Sequence, residues 1–199
     1  LLLCLMAGAT FSVAPREPAT PLRVVGAAGI GAWVIVLVLA VSADHQLQQG
    51  ITAIGDGDAE AADGAFQTAA QLRPWDADLP LIVSEQLAAV AELAGSTEPV
   101  PTAGEWASDA VGRLPDSTRA LKAQAVIAQF SGDFVLGISA LERAAELSPN
   151  DPQVFHRLGG LYLLSGQLAP ALTALERAAV LAPDNADVLA TLEYARSLG

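Results

Sequence analysis

The feature that most constrains the fold is a peptide that occurs twice at a fixed spacing. The segment ALERAAELSPND at 140–151 returns as ALERAAVLAPDN at 174–185, which is 34 residues later. Each copy has apolar residues at helical spacing and ends near a proline, which cannot continue a helix. A fixed period of this length predicts helical units that each bury an apolar face against the next unit. We therefore expect an all-α fold, an α-solenoid of antiparallel helix pairs.

The unit at 152–185 fills every position of the tetratricopeptide repeat (TPR) consensus and therefore resembles that family. The residues that match are Phe155, Leu158, Gly159, Tyr162, Ala171, Leu175, Ala178 and Pro183. The unit at 118–151 matches the same pattern with Ala125, Gly137, Leu141, Ala144 and Pro149. It departs from the pattern at Gln124, where a leucine is expected. The resemblance implies that the small residues lie where the two helices of a repeat touch.

Less regular units precede these two, and one further helix follows them. The linker GSTEPVPT at 95–102 accounts for the extra length of the second unit. Residues 186–199 are predicted to form a capping helix, because the last unit of a stack needs its apolar face covered. In this helix Ala190, Leu192 and Ala195 are expected to face inward. The TPR solenoid is thus predicted to cover 44–199, with repeats at about 44–76, 77–117, 118–151 and 152–185.

The first part of the chain is apolar and reads as a membrane hairpin. The 19 residues at 24–42 carry no charge. A helix needs about 20 apolar residues to cross a hydrocarbon core of about 30 Å, and its backbone groups must be satisfied within the segment. We therefore predict a transmembrane helix at 24–43. The apolar segment 1–14 is too short to span and is predicted to be a truncated transmembrane helix, joined to the next one by a short basic loop at 15–23.

Two arginines in this loop, Arg16 and Arg23, set the expected orientation. No other Lys or Arg occurs before Arg73, and cytoplasmic loops are enriched in basic residues. We therefore expect a multi-pass protein of the bacterial cytoplasmic (inner) membrane, with the loop in the cytoplasm and the TPR region outside it. The lipid bilayer is accordingly one predicted partner.

The charge and the residue types argue against several kinds of site. Of 10 basic and 22 acidic residues, two and one fall in 1–43, which leaves 8 basic and 21 acidic residues in the rest of the chain. Such a balance argues against a nucleic-acid partner, because nucleic-acid binding depends on basic residues that neutralise phosphates. The single cysteine, Cys4, and two distant histidines, His45 and His156, give no metal-ligand spacing. We predict no metal, no cofactor and no catalytic residue in this sequence.

The repeat alignment also predicts a surface for a protein or peptide partner. TPR solenoids bind on the concave face formed by the first helices of the repeats, and Lys122 and His156 occupy equivalent positions there. Gln129 and Leu163 form a second equivalent pair. The alternative is that these four side chains are ordinary solvated helix surface. A TPR variant that grips peptide C-termini has Lys and Asn in the groove, but Val126 and Gly160 occupy the matching positions, so this carboxylate clamp is not expected.

A basic loop, a spanning helix and acidic repeats together resemble the C-terminal end of O-antigen ligase or polymerase-like bacterial membrane proteins. Because the chain begins at Leu1, we expect it to be a fragment of such a longer protein. The resemblance implies a parent enzyme that transfers lipid-linked glycans through a missing upstream region, with none of its chemistry in these residues. The alternative is a non-enzymatic, membrane-anchored TPR scaffold that collects envelope proteins.

Overall fold

The computed structural model describes residues 20–94 and 103–199, and every regular element in these two ranges is an α-helix. The all-α prediction is therefore confirmed for the described residues. Predictions for 1–14, for the first part of the loop at 15–23, and for the linker 95–102 fall outside them. The helices are α1 Thr20–Gly55, α2 Ala59–Leu72, α3 Leu79–Ala94, α4 Ala103–Arg113, α5 Thr118–Ser131, α6 Phe134–Leu147, α7 Pro152–Leu164, α8 Leu168–Leu181 and α9 Ala186–Ser197.

Helix α1 begins earlier than the sequence predicts. Thr20 to Arg23 were expected in the loop, but they form the first turn of the helix. Pro21 is compatible with this turn, because the first N–H groups of a helix have no partner within it and the proline φ angle is already helical. Within the described residues, Ala32–Gly55 is the only stretch long and apolar enough to cross a membrane, with a mean hydropathy of 1.2.

The chain divides into two compact units, Leu1–Val38 and Leu39–Gly199. In the first unit, the side chains at 33–38 are exposed and apolar, and Trp33 alone is 71% exposed. The second unit, Leu39–Gly199, contains helices that pack in pairs along the chain. Its first pair consists of the C-terminal part of α1 and α2. At the other end, the single helix α9 packs against α8 and α7.

Left-handed glycines make the tight turn within three of the repeats. Gly57, Gly132 and Gly166 have φ angles of 78°, 81° and 76°, a conformation in which a Cβ atom would be strained. Polar caps start α7 and α9, the helices that follow the ends of the two regular repeats. Asp151 Oδ1 accepts a hydrogen bond from the N–H of Gln153 at 2.9 Å, and Asn185 Oδ1 accepts one from that of Asp187 at 3.0 Å. These caps satisfy N–H groups that would otherwise lack a partner.

Small residues allow the two helices of a repeat to pack closely. Ala125, Gly137 and Ala144 are buried in one repeat, and Gly159, Ala171 and Ala178 are buried in the next. A Cβ atom built on Gly159 would lie 2.5 Å from Leu175 Cγ. Leu141 and Leu175, which fill the space beside these residues, have 0% exposure. Leu158 is buried as well, whereas Pro149 and Pro183 are exposed in the turns that end the repeats.

The two aromatic consensus residues are only half-buried, and each contacts a charged side chain. The ring of Phe155 lies 5.8 Å from the guanidinium carbon of Arg177. The Tyr162 hydroxyl donates a hydrogen bond of 2.5 Å to Glu142 Oε1, which joins α7 to α6. Burial, together with this hydrogen bond, raises the pKa of Tyr162 to about 12.

The prediction that Ala190 faces inward is wrong. Ala190 is exposed, and Val188 occupies the buried position instead, with Leu192 and Ala195. These three residues follow the i, i+4, i+7 spacing of one helix face. Ala190 lies two residues from both Val188 and Leu192, and therefore on the opposite side of α9.

Candidate functional site

The first helices of successive repeats line a groove on one side of the solenoid. Helices α3, α5, α7 and α9 contribute to two neighbouring cavities, of about 380 Å³ and about 590 Å³. Glu92, Gln153 and Arg157 line both cavities, so the two spaces form one continuous depression. Concave surfaces of this kind are the binding surfaces of α-solenoids.

The lining residues recur with the period of the repeat. On α5 they include Arg119, Lys122, Ala123 and Val126, which share the i, i+3, i+4, i+7 face of the helix. The same four positions on α3 and α7 lie 34 residues before and after, and all of them line the groove. The groove is therefore a direct consequence of repeated helices that present the same face.

Three basic side chains in the groove are each paired with a carboxylate on another part of the chain. Arg119 of α5 donates from Nε and Nη2 to the two oxygens of Glu85 on α3, at 2.7 and 2.6 Å. These hydrogen bonds and the charge of Glu85 raise the pKa of Arg119. Lys122 Nζ lies 3.1 Å from Asp151 Oδ2, at the start of α7. The third pair joins Arg157 of α7 to Glu92 of α3.

His156 connects the last repeat to the capping helix. Its Nε2 lies 3.0 Å from Thr191 Oγ1 of α9. Burial lowers the pKa of His156; the charge of Asp187 acts in the opposite direction, and that of Arg157 adds to the lowering. The imidazole thus serves as a bridge between α7 and α9. Among the described residues there is no group of three or more metal-ligating side chains.

The four side chains predicted to contact a partner all reach this groove. Gln129, His156 and Leu163 line the larger cavity, and Lys122 lines the smaller one. Val126 and Gly160, the positions of the missing carboxylate clamp, are also in the lining.

Sequence reasoning missed Glu85, Arg119, Arg157 and Asp187, although each lies on the same helix face. Arg119 lies three residues before Lys122, and Glu85 and Asp187 are its equivalents in other units of the 34-residue alignment. Arg157 directly follows His156. The alignment would therefore have identified all four residues.

The larger cavity contains bulkier apolar side chains than the smaller one. Leu163, Leu164 and Tyr194 line the larger cavity where α7 approaches α9, and Tyr194 is 60% exposed. Gly160 leaves additional space there, since a Cβ atom added to it would meet nothing within 4 Å. The groove therefore combines ion pairs along α3, α5 and α7 with large apolar side chains of α7 and α9.

Comparison with known proteins agrees with the repeat pattern. The tetratricopeptide repeat family model matches residues 131–193, and the sequence matches none of the curated proteins.

Solved structures of MamA have a similar fold. One crystal structure is 18% identical, covers 78% of this chain and 81% of that chain, and has a TM-score of 0.62. A second, MamA 41-end from Desulfovibrio magneticus RS-1, is 16% identical with a TM-score of 0.63, and covers 79% of this chain and 85% of that one. Residues 131–193 are therefore tetratricopeptide repeats, within an α-solenoid of TPR-like fold.

Proposed function

We propose that the groove binds a peptide segment of a partner protein. The observation that carries this proposal is the continuous lining of two cavities by equivalent faces of α3, α5, α7 and α9. The ion-paired side chains along the groove and the larger apolar side chains of α7 and α9 would recognise a peptide with both charged and apolar residues.

Gly160 offers a way to block the groove without disturbing the core. Its added Cβ atom contacts nothing, so Gly160→Arg fills the larger cavity with a long charged side chain. Val180→Arg is the matched control, because Val180 lies on α8, outside the groove lining, and is 72% exposed. Photo-crosslinking from position 129 in the native host should capture a partner with the wild-type chain and the Val180→Arg variant, and not with Gly160→Arg. Equal capture by both variants would contradict binding in the groove.

The repeats are further proposed to be tethered to a membrane by residues 24–43. In the described part of this segment, the side chains from Trp33 to Val38 are apolar and exposed on all sides of the helix. A helix that is apolar all round is expected in a lipid environment or a large core. Arg16 and Arg23 support a cytoplasmic position for the preceding loop, and hence an extracytoplasmic groove.

The orientation can be tested with a single introduced cysteine. The change Cys4→Ser removes the one cysteine of the 199-residue sequence, and Asp184→Cys adds one in an exposed turn of the solenoid. A membrane-impermeant maleimide should label this residue in cells without permeabilisation. Labelling only after the cytoplasmic membrane is opened would place the repeats in the cytoplasm.

For the parent protein we propose an O-antigen ligase-like enzyme in which the groove holds a partner or acceptor near the membrane. The succession of basic loop, apolar helix and acidic repeats supports this. Intact mass and upstream sequence of the protein purified from its host provide the test. Many further spans with an Arg- and His-bearing outer loop would support the enzyme, whereas one further span would favour the non-enzymatic scaffold.

A further inference from the structure

The turn between α2 and α3 carries an exposed tryptophan that the other repeats lack. Trp75 follows Pro74, which ends the first repeat, and is 60% exposed. The residues that follow the equivalent prolines in the later repeats are polar: Asp116, Asn150 and Asp184. Packing within the solenoid does not explain why Trp75, at one of these four equivalent surface positions, is a large aromatic residue.

An ion pair sets the position of this turn along α1. Arg73 Nη2 lies 2.5 Å from Asp44 Oδ1, and Asp44 is the first charged residue after Arg23. The side chain of Arg73 is only 17% exposed and also lies 3.4 Å from Asp76 Oδ2. The turn therefore lies beside Asp44, where the uncharged segment of α1 ends.

The turn is also fixed from the next repeat. Arg113 of α4 donates from Nη1 to the carbonyl oxygens of Pro74 and Asp76, at 3.5 and 3.4 Å. Asp76 Oδ1 accepts a hydrogen bond from the N–H of Asp78 at 3.0 Å. The backbone that carries Trp75 is thus held by several contacts, while its indole remains outside the core. By contrast, Trp106 packs edge-on against Phe66 with ring centroids 6.4 Å apart.

We propose that Trp75 inserts into the interface of the phospholipid bilayer that α1 crosses. This inference rests on the proposed membrane anchoring and adds a second contact with the lipid. Tryptophan is enriched at the membrane–water interface, because its ring is apolar and its indole N–H needs a polar partner. With Trp75 in this interface, the first repeat contacts the lipid through its turn as well as through α1.

The test uses variants with a single tryptophan, in phosphatidylcholine vesicles. The variant Trp33→Phe/Trp106→Phe leaves Trp75 as the reporter, and Trp75→Phe/Trp106→Phe leaves Trp33. The matched control replaces all three by Phe and adds Asp184→Trp, at the equivalent position of the last turn. Emission is recorded with lipids brominated near the headgroup or near the chain ends, and with acrylamide in the water. Circular dichroism verifies that each variant is folded.

We expect blue-shifted Trp75 emission that is quenched by bromine near the headgroup, whereas the Asp184→Trp control is quenched by acrylamide alone. Trp33 should be quenched by bromine in the acyl chains. If Trp33 responds to brominated lipid and Trp75 behaves like the control, the inference is overturned while the anchor stands. If Trp33 is quenched by acrylamide alone, the anchor itself fails and the inference falls with it.

A second measurement leaves the packed Trp106 in place. In a Cys4→Ser background, a nitroxide attached to Trp75→Cys should be accessible to oxygen dissolved in the bilayer and poorly accessible to a water-soluble nickel chelate. The same label on Asp184→Cys should show the reverse. Equal accessibility of both labels to the chelate would overturn the inference without any change to the core.

Discussion

Arg157 of α7 pairs with Glu92 of α3, although α5 lies between these two helices in the sequence of first helices. The partners are 65 residues apart, and both line both cavities of the groove. The ion pair therefore connects the second repeat to the fourth across the concave surface. A bound peptide that follows the groove must pass this pair or separate it.

We expect the pair to contribute little to stability. The side chains of Arg157 and Glu92 are 36% and 42% exposed, and ion pairs at such sites contribute about 0–1 kcal/mol. A double-mutant cycle with Arg157→Gln and Glu92→Gln, measured by urea unfolding of the detergent-solubilised chain, should give a coupling in this range. The coupling should shrink in high salt, because the screening length falls from about 10 Å at 0.1 M to about 3 Å at 1 M. A large coupling that is insensitive to salt would mean that the groove is permanently barred.

Adjacent glycines in α7 are predicted to respond oppositely to alanine. At Gly159 the new Cβ would approach Leu175 Cγ to 2.5 Å and the carbonyl oxygen of Ala171 to 3.3 Å. Such overpacking destabilises by about 1–3 kcal/mol. At Gly160 nothing lies within 4 Å, so alanine should stabilise by about 0.5–1 kcal/mol through the lower backbone entropy of the unfolded state. Thermal unfolding of the two variants gives the comparison, and a gain of stability from Gly159→Ala would show that α7 and α8 are not in such close contact.

The repeated peptide made the helix pairs predictable, because its period fixes which positions must be small. Gly137 and Ala171 occupy equivalent positions in two repeats, and the structure buries both of them where the two helices of a repeat touch. The start of α1 at Thr20 was less predictable, because Pro21 is compatible with a first helical turn as well as with a loop. The inward placement of Ala190 was wrong, and the four-residue spacing of the apolar Val188 and Leu192 would have excluded it.

The groove was predictable in its location but only partly in its chemistry. Equivalent positions identified Lys122 and His156, because the alignment marks residues on one face of a first helix. The pairing of Arg119 with Glu85 depends on how neighbouring repeats are rotated, which a repeat period does not specify. The ion pair between Arg73 and Asp44 was not predictable either. Both residues lie outside the consensus positions of the first repeat, so the repeat pattern gives no information about their contact.

Two equivalent helix starts should differ in their response to mutation of the cap. Asp133 Oδ1 accepts a hydrogen bond of 3.0 Å from the N–H of Leu136 at the start of α6. Gln167, at the same position of the next repeat, makes no side-chain cap. Asp133→Ala should destabilise by about 1 kcal/mol, and Gln167→Asp should stabilise by up to a similar amount. Urea midpoints of the two variants measure this. No gain from Gln167→Asp would indicate that the backbone at 167 does not allow a cap.

The partly buried hydrogen bond between His156 and Thr191 predicts a loss of stability in acid. Because burial holds the pKa of His156 below its ordinary value of 6.5, the folded state favours the neutral ring more than the unfolded state does. The corresponding stabilisation is complete above about pH 6.5 and declines as the pH falls toward the lowered pKa. The free energy of unfolding of the wild type should therefore decrease relative to His156→Gln over this interval, a comparison in which His45 cancels. An NMR titration gives the pKa of His156 directly, and a value above 6.5 would mean that the charge of Asp187 outweighs burial and reverses the sign.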